Sequence, residues 1–154
     1  MVALIQRSKT ASVEVEGKIV GEIEKGITVF LGVKKEDNEE HCDYLAKKIA
    51  ALRIFNDENG KMNKSIIDTQ GQILSISNFT LCADARKGTR PSYDMAQRPE
   101  RANELYERFC SKLLENGIQR VEKGIFGAEM KVLVENDGPV SIILDTDKIM
   151  PHKN

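Results

Sequence analysis

The sequence predicts an α+β fold, a largely antiparallel β-sheet of barrel-like or sandwich form covered by two α-helices. Three observations predict it. Apolar residues alternate with polar ones in the first third, two stretches carry clean helical stripes, and strand-like segments outnumber helical ones while hairpin-like turns join them. At 154 residues, 40% of them hydrophobic, the chain is long enough for a single domain with one core.

The first strands lie in "ASVEVEGKIVGEIEKGITVFLGV". Val13 and Val15 alternate with glutamates, Ile19 follows, and Ile27 to Val33 is a continuous apolar run. Gly17 and Gly26 punctuate three strands. Asp37 or Asn38 then offers an N-cap, with Glu39 and Glu40 in a first turn that favours negative charge. Cys42, Leu45, Ala46, Ile49 and Ala50 form the buried stripe of the first helix. Asn56 to Ser65 reads as a polar turn segment, and the next strand runs from about Gln72 to Phe79. After an irregular loop rich in arginine and proline, the second helix opens at Pro99. Ala102, Leu105, Tyr106, Phe109, Cys110, Leu113 and Leu114 form its stripe, and Asn116-Gly117 ends it. Three strands close the chain, over Arg120 to Glu122, Met130 to Glu135 and Val140 to Asp145. One domain spans 1–154, with 147–154 expected as a flexible tail.

Composition excludes several classes of function. A net charge of −1 gives no global attraction for nucleic acid, so any RNA contact must be local, and DNA is not an expected partner. Three cysteines without C-x-x-C spacing argue for a reducing compartment. Arg7 comes too early for a signal peptide and no apolar run approaches membrane-spanning length, so the expected location is the cytoplasm. G-x-S-x-G, G-x-G-x-x-G, phosphate-loop and H-E-x-x-H signatures are missing. His41 beside the first helical stripe and His152 near the end read as surface groups, which leaves no histidine triad. Neither a metal nor a cofactor is expected.

Three stretches could carry chemistry. In "SISNFTLCA", Ser77, Asn78, Phe79 and Thr80 gather hydroxyls, an amide and a ring at a strand end. Backbone N–H groups there can stabilise an oxyanion, although the spacing alone favours a strand end satisfying its own backbone. In "ENDGPVS", Pro139 follows Gly138 and withholds an N–H where pairing should resume. A cis bond would expose two carbonyl oxygens, but the base frequency favours a plain turn. In the loop "RKGTRPSYDMAQR", Arg86, Lys87, Arg90 and Arg98 form either a phosphate-binding patch or an ordinary solvated loop. Cys82 is a candidate thiolate, yet no base is near in sequence and a buried hydrophobe is the favoured reading.

Taken together, the motifs resemble the D-aminoacyl-tRNA deacylase family. Its Ser-Gln-Phe-Thr-Leu strand end stands here as Ser77-Asn78-Phe79-Thr80-Leu81. Its Asn-x-Gly-Pro-Val-Thr loop stands as Asn136-Asp137-Gly138-Pro139-Val140-Ser141. "GKMN" (Gly60 to Asn63), "KGTRPSY" (Lys87 to Tyr93) and "FGAEM" (Phe126 to Met130) match in order. Asn78 replaces glutamine and shortens the side chain by one methylene; Ser141 replaces threonine and keeps the hydroxyl.

The resemblance implies a homodimer that hydrolyses the ester of D-aminoacyl-tRNA. In it, the Gly138-cisPro139 tip of one subunit enters the other's site, where its carbonyls receive the α-ammonium. It implies a catalytic role for Thr80 with the backbone of Phe79, and substrate contacts from Ser77, Asn78, Phe79, Gly138 and Pro139. Arg7 would brace the tip, Met130 would pack beneath it, and Asn136 would support it. Arg86, Lys87 and Arg90 would touch tRNA. L-esters would be rejected by clash and glycyl esters, including glycine mischarged on alanine tRNA, accepted. The alternatives are a nucleic-acid-binding module of the same fold without hydrolysis and a thiol hydrolase using Cys82.

Overall fold

A computed structural model describes residues 1–152 of the chain. Strand β1 (Val2–Val15) is the spine. One of its edges pairs antiparallel with β3 (Gly26–Gly32) over Val2 to Ser8, then with β2 (Lys18–Ile23) over Ala11 to Val15. The other edge pairs antiparallel with β8 (Lys131–Asp145). Beyond β3 the sheet continues through β6 (Gln72–Ser77) to β7 (Val121–Lys123), giving the order β2-β1-β3-β6-β7 with β8 on β1. The sheet curls until its two ends approach: a Cβ at Gly21 in β2 would stand 2.7 Å from the Lys123 carbonyl oxygen.

The β3–β6 and β6–β7 pairs are parallel. Helices α1 (Glu39–Ala51) and α3 (Pro99–Glu115) therefore lie on crossovers, a connection that the hairpin-like punctuation of the sequence did not suggest. In β6, Ile73 to Ile76 are all buried instead of alternating, as in a strand covered on both faces. Asn38 is the N-cap of α1, and His41 closes its capping box by accepting from the Asn38 N–H at 3.1 Å.

Several boundaries differ from expectation. The polar segment after α1 holds a small hairpin, β4 (Phe55–Asn56) with β5 (Met62–Lys64), and a helical turn α2 (Ile66–Thr69). Asp57 organises that hairpin by accepting the N–H groups of Asn59 and Lys61 at 2.8 and 3.0 Å. Strand β6 ends at Ser77, and Phe79–Cys82 form a 3₁₀ turn. Leu114, counted in the second helical stripe, is half exposed at its edge. The last two expected strands are one strand, β8, which keeps β1 as its partner on both sides of residues 137–140. Expected tail residues begin in the short helix α4 (Thr146–Ile149), where Asp147 bonds Lys34 at 2.8 Å and the Tyr44 hydroxyl donates to the Ile149 carbonyl at 2.8 Å. Residues 153–154 lie outside the described residues.

The core has two parts. One sheet face, including Ala3, Ile5, Ile27, Val29 and Leu31, packs under Leu45 and Ile49 of α1 and Leu105 and Phe109 of α3. The concave face gathers Val13, Ile23, Leu74 and Ile76 with Phe30, Met130 and Val132. Helix α3 is tied to β6 by the buried Tyr106 hydroxyl, which donates to the Ser75 carbonyl at 2.6 Å, two residues before the strand end. Tyr106→Phe should lower stability by about 0.5–1.5 kcal/mol, because the Ser75 carbonyl loses its short bond and keeps only the Gly124 N–H at 3.4 Å. Denaturant melts measure this, and a loss below a few tenths of a kcal/mol would contradict the anchoring role.

Candidate active site

The concave face opens into a cavity of about 610 Å³. Phe30, Ile76, Met130 and Val132 line its apolar part, Ser77, Asn78 and Phe79 come from the strand end, and Tyr93, Gln97 and Phe126 contribute from the loops. The Asn78 N–H makes the last bond of the β3–β6 edge, to the Leu31 carbonyl at 2.8 Å. The chain then turns: the Leu81 N–H reaches the Asn78 carbonyl at 3.3 Å and the Ala83 N–H the Thr80 carbonyl at 3.1 Å. Two N–H groups are left over. Among the described residues, those of Phe79 and Thr80 have no acceptor. Phe79 is 57% exposed despite its ring, and meets Tyr93 edge-on with centroids 5.1 Å apart.

Thr80 stands one residue beyond the cavity lining, exposed, with its hydroxyl donating to Asn78 Oδ1 at 2.6 Å. Cys82 turns inward and is 5% exposed. Burial pushes its thiol above the ordinary range, as it does for Cys110, and lifts Cys42 to about 12. Cys82 is thus a neutral, packed thiol at physiological pH, and it anchors the turn.

The four loop cations are not equivalent. Arg86 is clasped by Asp84, Nη2 to Oδ2 at 2.7 Å, and the Arg86 side chain and N–H together hold the Asp84 carboxyl down to about 2. Its charge is largely neutralised at home. Lys87 and Arg90 are exposed and form no ion pair among the described residues. The same is true of Arg98, which precedes α3.

The Gly138–Pro139 bond is cis. Opposite this segment, Arg7 alone on β1 faces the four residues 137–140, because Ser8 pairs with Asn136 and Gln6 with Ser141. The extra residues stand out as a tip whose Gly138 and Pro139 are exposed. Gly138 has φ +142°, a conformation that disfavours any side chain. The buried Arg7 guanidinium donates from Nε to the Asp137 carbonyl at 3.0 Å and from Nη1 to the Ile54 carbonyl at 2.8 Å. Asn136 staples the other end, accepting the Val140 N–H at 3.0 Å and donating to Ser141 Oγ at 2.9 Å. Gln6 reaches the same Ser141 oxygen at 3.3 Å. Neither tip residue lines this chain's own cavity, whereas Met130 does. Ser77, Asn78, Phe79 and Met130 are brought together; Arg7, Asn136, Gly138 and Pro139 form a separate cluster.

The family described as D-Tyr-tRNA(Tyr) deacylase matches residues 4–145. The chain belongs to that family. Its relatives include D-aminoacyl-tRNA deacylases of Persephonella marina, 56% identical over 146 residues (95% of this chain, 98% of that one), and of Aquifex aeolicus, 54% identical over 149 (97% and 100%). Among solved structures, the c-Myc DNA Unwinding Element Binding Protein superposes with a TM-score of 0.89 at 39% identity, covering 94% of this chain and 98% of that chain. A probable eukaryotic D-amino acid tRNA deacylase shares the fold, with a TM-score of 0.80 at 16% identity over 93% and 97% of the two chains.

Sequence reasoning missed Tyr93, Gln97 and Phe126 as cavity residues and Asp137 as a partner of Arg7. Tyr93 and Phe126 stand inside the quoted family segments, which was the available signal. Gln97 carried none: its place comes from its N–H to the Val33 carbonyl at 2.9 Å and its side-chain amide to the Lys35 carbonyl at 3.0 Å. Among the described residues, no three His, Cys, Asp or Glu side chains group to hold a metal ion, and no helix is long and apolar enough to cross a membrane. All three cysteines are buried, so Ellman's reagent at pH 8 should modify the native chain slowly and the unfolded chain at once. A rapid native stoichiometric reaction mapped to Cys82 would show it to be a reactive thiolate.

Proposed function

We propose that the chain hydrolyses D-aminoacyl-tRNA with main-chain groups as its principal catalytic elements and with a partner copy as its gate. The observation that carries the proposal is the pair of free N–H groups of Phe79 and Thr80 beside a largely apolar cavity. These donors suit the carbonyl oxygen of the ester and the negative charge it gains when water attacks. One such donor is worth about 10²–10³ in rate. Water's oxygen bonds to the carbonyl carbon, the bond to the ribose oxygen breaks, and that oxygen leaves with a proton. An ester next to an ammonium is already activated, so positioning does much of the work and no histidine base is needed. The ribose 2′-hydroxyl orients the water. Ser77 and Asn78 contact the bound end, and Lys87 and Arg90 take the nearby phosphates. Arg86 serves mainly to hold its loop.

The tip acts on a neighbouring copy. It is exposed and braced, and none of it lines the cavity of its own chain. Inserted into a partner's cavity, the Gly138 and Pro139 carbonyls receive the α-ammonium while Met130 packs against them. With carbonyl and ammonium both held, a D side chain points to open space and an L side chain points into the tip. Glycine has nothing to clash, so glycyl-tRNA, including glycine carried by alanine tRNA, is also a substrate.

A second reading, a nucleic-acid-binding module without hydrolysis, is favoured by the printed name of the DNA Unwinding Element Binding Protein structure. Purified chain incubated with D-tyrosyl- and L-tyrosyl-tRNA separates the two: the deacylase reading expects preferential loss of the D-ester. Equal stability of both esters would leave only the binding module. Cys82→Ala should retain nearly full deacylation, whereas abolished activity would mark a thiol hydrolase.

Pro139→Ala removes the ring that restricts the tip backbone and should admit L-esters. An unchanged D/L ratio would dismiss the gate.

A further inference from the structure

The segment between β7 and β8 leaves the sheet at Gly124 and rejoins it at Lys131. Its two ends meet across the concave face. A Cβ on Gly124 would stand 2.5 Å from Met130 Sδ, 3.3 Å from Ile76 Cδ1 and 3.6 Å from Val13 Cγ2. Glycine is required there for space and not for conformation, because the Gly124 backbone lies outside the left-handed region. The Met130 thioether fills the room that a side chain would take. Two sides of this recess are fixed. The Gly124 backbone is fastened to β6, its N–H reaching the Ser75 carbonyl at 3.4 Å beside the Lys123–Ser75 pair of the β6–β7 ladder. Val13 and Ile76 are buried, and a packed interior does not readily yield a methyl's volume. Met130 differs: it is partly buried and unbranched, and on its open side lies the 610 Å³ cavity that it helps to line.

We infer that Gly124 is a positioning residue: the side chain it lacks is the recess that holds the Met130 thioether back, and so sets the depth of the cavity. The inference rests on the proposed docking of a partner copy's tip against Met130. A methyl on residue 124 would drive the sulfur about 1 Å, the difference between 2.5 Å and an ordinary contact, into space that the tip needs. The tip is gripped at both ends by its own chain, so it cannot fold aside. Its carbonyls would instead stand off from the α-ammonium. Gly124 touches neither ester nor ammonium and acts through Met130.

The test crosses Gly124→Ala with substitutions of Met130, read with D-tyrosyl-tRNA, by thermal melts and by the Met130 ε-methyl NMR resonance. Gly124→Ala should lower kcat/KM by roughly tenfold or more, the scale of an ångström's misplacement. Its melting midpoint should stay within about 3 °C of the original, because only the far end of a flexible side chain has to move. Met130→Val ends one atom short of the sulfur, so in that background Gly124→Ala should cost less than about twofold. Met130→Leu keeps a carbon at the sulfur's place, and there the loss should persist. Simple damage to the end of β7 would carry through both backgrounds alike. The methyl resonance, identified by its loss in Met130→Val, should shift in Gly124→Ala, a readout independent of turnover. If no form, the original included, deacylates but the resonance shifts at an unchanged melting midpoint, Gly124 still holds Met130 back and the deacylase reading fails. An equal loss in the Met130→Val background, an unmoved methyl resonance, full activity in Gly124→Ala or a clearly lowered melting midpoint overturns the inference.

Discussion

Strand β1 is hydrogen-bonded along both edges, and the division of that pairing shapes everything around it. One edge serves β3 and then β2, while the other serves β8 throughout. A strand that changes partner half-way must bend and twist, and the register breaks around Ser8 mark where it does so. The bend leaves the outer face of the sheet to α1 and α3. It turns the other into the concave wall on which Phe30, Ile76, Met130 and Val132 meet. Arg7 sits at the bend. A buried guanidinium must find acceptors. It finds the Ile54 and Asp137 carbonyls, with the Asp137 carboxylate 3.5 Å away. The tip's position is thus a consequence of satisfying one cation inside the sheet.

The two candidate clusters are built by opposite means. At the strand end the backbone runs out of partners, and two N–H groups remain beside an apolar cavity because a turn follows the last ladder bond. At the tip the backbone is over-supplied: Arg7 holds one end, Asn136 the other, and Ser141 Oγ is shared between Asn136 and Gln6. Free donors suit a charge that develops during reaction, and a fixed wall suits exclusion. Histidine and thiolate chemistry contributes to neither. His41 serves as a helix cap, and the cysteines are packed as small apolar groups.

Local signals made much of this legible. The α1 stripe, the N-cap at Asn38, the start of α3 at Pro99 and the buried character of Cys42 and Cys82 all follow from short-range pattern. The long-range features did not. Nothing in the spacing of "ENDGPVS" separates a hairpin from an excursion within one strand, because both need the same turn residues; only the shared partner β1 distinguishes them. Parallel pairing of β6 was hidden because a short apolar run fits several neighbours. The Asn78–Thr80 contact was legible only as a cluster of polar residues at a strand end, since a strand would have sent the two side chains to the same face without fixing which atom bonds which.

In the proposed reading, discrimination of handedness has to come from exclusion. D- and L-esters of one amino acid offer the same carbonyl, ammonium and side chain, so attraction to any of these groups is shared by both. Once two of the groups on the α-carbon are held, only the direction of the third differs. A flexible side chain placed in that direction could rotate away at the cost of a rotamer, about 1 kcal/mol or less, which separates substrates by only severalfold. A backbone segment held at both ends has no such escape. Arg7 and Asn136 grip the two sides of Gly138-Pro139 from within their own chain, so the wall arrives at the partner's cavity already rigid. The division of labour between copies follows: the chain that shapes the wall is not the chain that holds the ester, and neither has to be flexible where it needs to be stiff.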